Sequence, residues 1–101
     1  MIYKYTIGAP YYTTQEKMII PTPGVSVQKI LDVQLQGSVA VVWAAVKPST
    51  EDQYFTIQSV WTGYEEPTNM LYISTIQEPS TGLVYHYYGV LPWQERVVNG
   101  I

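Results

Sequence analysis

A chain of 101 residues, 47% apolar and 13% charged, reads as one domain, long enough for a single core of its own but near the small end of comfortable stability. Its formal net charge is −3, and Lys4, Lys17, Lys29, Lys47 and Arg96 are scattered, so no cation cluster is available to displace counterions from phosphate, which disfavours groove binding to DNA. The absence of cysteine excludes disulfides, cysteine-based zinc sites and thiol chemistry, and suits a reducing compartment.

Ile2 to Ile7 alternates, with Tyr3, Tyr5 and Ile7 on one side and Ile2, Lys4 and Thr6 on the other. This predicts a first strand, ended by Gly8-Ala9-Pro10 because proline has no amide hydrogen to continue a ladder. Met1 to Tyr5 lacks the apolar run of a secretory leader, and no apolar run approaches the ~20 residues of a membrane-spanning helix. After the connection Tyr11 to Thr14, Glu16 to Ile20 reads as a second strand closed by the turn Pro21-Thr22-Pro23-Gly24.

Val27 to Gln36 places Val27, Leu31, Val33 and Leu35 on one face and Gln28, Asp32, Gln34 and Gln36 on the other. Lys29 and Ile30 interrupt that alternation, which marks a bulge or the exposed start of the strand. Gln36-Gly37-Ser38 then forms a tight turn, predicting an antiparallel hairpin with Val39 to Pro48. That second arm is apolar at every position from Val39 to Val46. Such a run predicts a central strand covered on both faces, with Trp43 largely buried as its main packing element.

Beyond the polar turn Ser49 to Asp52, Tyr54 to Trp61 predicts a strand with Phe55, Ile57 and Trp61 on one face. Thr62 to Asn69 is the longest loop, where Pro67 limits the capping spacing of Thr62 and Glu65 to a single helical turn. Met70 to Gln77 and Leu83 to Val90 are strands separated by the turn Glu78 to Gly82. The expected fold is all-β: an antiparallel sandwich or small barrel of six to seven short strands over residues 1–90. Residues 91–101 are a C-terminal tail, open between a short helix and an irregular end.

Little in the chain resembles catalytic machinery. His86 is the only histidine, and a metal site around it would need two or three further ligands that only carboxylates could supply. As a strand histidine it is expected to bond a neighbouring polar group. The acid pairs Glu51-Asp52 and Glu65-Glu66 fall in turns, where adjacent carboxylates face water. No phosphate loop, nucleophile elbow, dinucleotide fingerprint or calcium loop is present. The chain is therefore expected to be no enzyme, with no catalytic residue, metal or cofactor.

Ten tyrosines and three tryptophans against one phenylalanine are the feature that points to function. Aromatic rings on loops or a sheet face can fill a partner's pocket or stack on a base, and they can equally pair across strands to stabilise the sheet. The candidate contact residues are Tyr64 in the long loop and Tyr85, His86, Tyr87 and Tyr88 in the last strand. Those last four carry neither a fixed charge nor a proline, so a self-paired last strand predicts a homodimer or higher closed oligomer.

The order Ile2-Tyr3-Lys4-Tyr5, Pro23-Gly24, Ile30-Leu31-Asp32-Val33-Gln34-Leu35-Gln36-Gly37, Trp43-Ala44-Ala45-Val46-Lys47-Pro48, Thr62-Gly63, Tyr72-Ile73-Ser74-Thr75-Ile76-Gln77 and Gly82-Leu83-Val84-Tyr85-His86-Tyr87 resembles a family of small uncharacterised proteins of tailed bacteriophages. The resemblance covers about residues 1–90. This chain departs from it in having Tyr64-Glu65-Glu66-Pro67 where members often carry histidine and proline, and Tyr85 where they commonly have tryptophan. The resemblance implies a host bacterial cytoplasm during infection and transfers no activity.

Three readings of function stay open. The first is a non-enzymatic accessory protein that binds a host or phage protein through an aromatic surface. In the second, Tyr and Trp side chains stack on a small-molecule nucleotide, with Lys4, Lys29 or Arg96 near its phosphates. The third is a small virion component.

Overall fold

The computed structural model describes residues 1–9 and 15–94. Its seven strands are β1 (Ile2–Gly8), β2 (Lys17–Pro21), β3 (Val25–Gln36), β4 (Val39–Pro48), β5 (Tyr54–Trp61), β6 (Leu71–Gln77) and β7 (Val84–Val90). They form two antiparallel sheets, ordered β1-β4-β3 and β2-β5-β7-β6, which pack as a sandwich and do not close into a barrel. The core lies between the sheets, where Val33, Val42 and Ala44 from one meet Phe55, Ile57, Tyr85 and Tyr87 from the other.

The hairpin of β3 and β4 is present, and Gln36 pairs with Val39 across a two-residue turn. Gly37 holds φ +65 at the first central position, as a two-residue hairpin of the II′ kind requires. The irregularity at Lys29 and Ile30 is real, and it comes in two steps. The register with β4 shifts between Val27 and Lys29 and again between Ile30 and Asp32, so Gln28 and Leu31 have no opposite partner. Each extra residue turns the side-chain alternation over. Ile30 thereby packs on the core, whereas Leu31, expected inside, is exposed.

β4 is the middle strand of its sheet, but only one of its faces meets the other layer. Ala40, Val42, Ala44 and Val46 point into the core, and Trp43 is half-buried on the opposite face. This corrects the expectation that Trp43 anchors the core. The Trp43 ring is instead covered by a neighbour in its own sheet, the Lys4 ammonium, 5.7 Å from its centroid, while Asp32 flanks it on β3. An apolar run does not say which of its faces another layer will cover.

The expected position of the last strand also changes. β7 is not an edge: β5 pairs on one side of it and β6 on the other. The edges are β1 and β3 in one sheet and β2 and β6 in the other. Leu91, placed in the tail by the sequence, is in the core, and a helical turn begins at Pro92. Most of the remaining tail, residues 95–101, lies outside the described residues, as does the Tyr11 to Thr14 connection.

Candidate functional site

The bulges of β3 border a concavity at the edge of the sandwich. β6 carries a bulge of its own, with Ile73 unpaired between Tyr72 and Ser74. β3 and β6 face one another as the two edges on one side of the sandwich, and where their ladders break a cleft of about 340 Å³ opens. Gln28, Lys29 and Ile30 line it from β3, Leu71, Tyr72 and Ile73 from β6, and Gly89, Trp93 and Gln94 close it.

Gly89 forms part of the floor, and only glycine fits there without displacement. A β-carbon would sit 2.8 Å from Ile73 Cδ1 and 2.9 Å from Ile30 Cδ1. The rim is different in kind. Leu71, Tyr72 and Trp93 expose 48%, 58% and 56% of their surface around one opening, an apolar grouping that small domains usually reserve for contact.

The residues singled out from sequence scatter to different environments. Tyr85 and Tyr87 are 1% and 0% exposed, facing the core, so they are corrected from contact surface to packing. Tyr64 is exposed on its loop, its ring edge-on to Trp61 at 6.0 Å, and Trp61 stands edge-on to Tyr85 at 6.3 Å. Tyr88 is half-buried on the outer face, edge-on to Tyr72 at 5.8 Å, with the Glu66 carboxylate near its hydroxyl. Burial first, and then the Glu66 charge, push the Tyr88 phenol above its ordinary pKa.

His86 sits beside Tyr88 on that outer face with both ring nitrogens engaged. Nε2 lies 2.7 Å from the Thr62 hydroxyl and Nδ1 2.9 Å from that of Thr75, which in turn lies 2.7 Å from the Tyr72 hydroxyl. This is the neighbouring polar bonding expected of a strand histidine. Both ring nitrogens are thus hydrogen-bonded to threonine hydroxyls. Among the described residues, no group of three or more His, Cys, Asp or Glu comes together. Glu51, Asp52, Glu65 and Glu66 are exposed.

Leu71, Tyr72, Trp93 and Lys29 were not brought together from sequence. Trp93 follows Pro92 in what read as tail, and its exposure beside an edge strand depends on Leu91 turning into the core. A lone tryptophan outside any alternating pattern was the available signal.

The family model described as a domain of unknown function (DUF7352) matches residues 1–96. No curated protein and no solved structure matches the chain. Among the described residues, no helix is long and apolar enough to cross a membrane.

Proposed function

We propose that this chain, which belongs to the family described as a domain of unknown function (DUF7352), is a non-enzymatic binding module that holds its ligand at the cleft between β3 and β6. One observation carries the reading: Leu71, Tyr72 and Trp93 are exposed together around a single concavity. Aromatic rings with a polar tip supply contact area at low entropic cost, and a concave apolar floor favours a ligand over bulk water. The burial of Tyr85 and Tyr87 withdraws most of the last strand from this role and moves the contact surface to the opposite edge of β6.

The likeness to tailed-bacteriophage proteins supports a setting in the bacterial cytoplasm during infection. A host or phage protein inserting a side chain into the cleft, and a small molecule filling it, are the two occupants this surface suits. Affinity purification of the tagged chain from infected cells, with proteins and small molecules both identified, tests the reading. Capture should be lost in Tyr72→Ala and Trp93→Ala. Capture that survives both and is lost in Tyr64→Ala would move the surface to the long loop, and recovery with particles would favour a virion role.

A further inference from the structure

The cleft is closed at its floor by apolar groups and varied at its rim. Ile30, Ile73 and Gly89 leave no polar atom exposed to a ligand except backbone. Gln28 and Gln94 each have one end of their amide tied down. Gln28 Nε2 donates to the Ser26 carbonyl at 3.3 Å and bonds its hydroxyl at 3.1 Å, and Gln94 Oε1 accepts the Leu91 amide at 2.9 Å. Among the described residues, Gln28 Oε1 and Gln94 Nε2 have no partner, one an acceptor and the other a donor.

Charge at the cleft runs against that of the chain. The formal net charge is −3, yet Lys29 is the single charged group among the described residues lining the cleft, and it has no ion-pair partner among the described residues. Lys4, by contrast, bonds Gln36 and covers Trp43. A lysine without an ion-pair partner among the described residues, lining an otherwise uncharged cleft, favours an anion there.

The shape limits what that anion can be. A volume of about 340 Å³ stands at the lower end of the roughly 300–1,000 Å³ of small-molecule sites. Addition of an extended peptide would need a regular free ladder, and both edges are bulged here, at Gln28 and Leu31 on β3 and at Ile73 on β6. What is left is recognition by side chains, with Trp93 the aromatic among them.

We infer that the cleft binds a planar aromatic molecule carrying one anionic group, its ring against Leu71 and Trp93 and its charge at Lys29. This rests on the cleft being the binding surface. Two sources share the chemistry, a nucleoside monophosphate and an aromatic carboxylate.

Amide chemical shifts of the full chain, titrated with adenosine 5′-monophosphate, 2-naphthoate, neutral 2-naphthol and inorganic phosphate, test it. At least one aromatic anion should move signals of residues 28–30 and 71–73 and bind about tenfold tighter than 2-naphthol or phosphate. Lys29→Met should remove that preference while keeping the affinity for 2-naphthol. Trp93→Ala should weaken the anion and 2-naphthol alike, with an unchanged thermal midpoint. Tighter adenosine 5′-monophosphate assigns the nucleotide source, and tighter 2-naphthoate the carboxylate. Equal binding of anion and 2-naphthol, a preference that survives Lys29→Met, or shifts confined to another face would overturn the inference. If every probe fails while capture from infected cells still needs Trp93, the binding surface stands and this ligand class falls; if capture is also indifferent to Trp93, both fall.

Discussion

The Ser74 hydroxyl donates a 2.8 Å hydrogen bond to the Val33 carbonyl, tying β6 to β3 across the two sheets. The Val33 amide is taken at 2.9 Å by the Asp32 carboxylate, so both backbone groups of this edge residue are occupied by side chains. An edge capped in this way offers no template for another strand. Ser74→Ala should lower stability by about 1 kcal/mol, read as a lower urea midpoint with an unchanged slope. An unchanged midpoint would mean that water replaces the bond at no cost.

Phe55 and Trp43, large aromatic side chains of the two sheets, should differ in their cost of truncation. Phe55 is fully buried and Trp43 is half-buried beneath Lys4. Phe55→Ala should cost about 3–5 kcal/mol, and Trp43→Ala clearly less despite the larger ring. Chemical denaturation of both variants checks the order, and a costlier Trp43→Ala would return that residue to the core.

Tyr5 places its ring edge-on to Phe55 at 5.5 Å, and its hydroxyl is buried with no hydrogen-bond partner among the described residues. Burial, and to a smaller degree Tyr3, hold its pKa above the ordinary 10.0. A raised acid pKa means that the folded state keeps its proton longer, so stability is intact below pH 10 and is lost as pH rises through the folded value. Tyr5→Phe should therefore stabilise by up to about 1 kcal/mol at neutral pH and soften the alkaline fall. A loss of stability at neutral pH would reveal a partner for the hydroxyl.

Glu78 organises the turn between β6 and β7. Its carboxylate accepts the Ser80 hydroxyl at 2.6 and 2.7 Å, the Thr81 hydroxyl at 2.7 Å, and the amides of Ser80 and Thr81 at 3.1 and 2.8 Å. Those hydroxyl bonds first, then the amides, lower its pKa from 4.5 to about 2. Because the shift is downward, its contribution is present above pH 4.5 and disappears as pH falls toward 2. Glu78→Gln should flatten stability against pH across that interval, and an acid limb identical to the parent's would show that the turn does not depend on the charge.

Association, expected from the sequence through the last strand, is expected here through an open edge instead. β2 is an edge strand whose Ile19 is 68% exposed, whereas β7 is enclosed by its neighbours. Light scattering at micromolar concentration should give more than one chain per particle, returning to a monomer mass in Ile19→Lys. A monomeric parent would remove the association altogether.

Much of this architecture is written locally. Every predicted strand is present, because alternation, proline stops and glycine turns act over a few residues, and even the irregularity at Lys29 and Ile30 showed as broken alternation. The pairing of β3 with β4 followed from the tight turn at Gly37, and the bonding of His86 to neighbouring hydroxyls from its place in a polar-flanked strand.

Strand order across a sheet obeys no such local rule. Pairing of β6 on the far side of β7 removes the expected edge, and which face of Tyr85 and Tyr87 is buried depends on where the other sheet lies, both decided by long-range packing. The same holds for Trp43, whose covered side is chosen by where the second sheet lies. The cleft exists only because bulges in β3 and β6, far apart in sequence, fall opposite each other, so its members share no spacing that the chain could display. Composition, alternation and turn chemistry determined the strands and their class; the stacking of two sheets decided which aromatic rings remain at the surface.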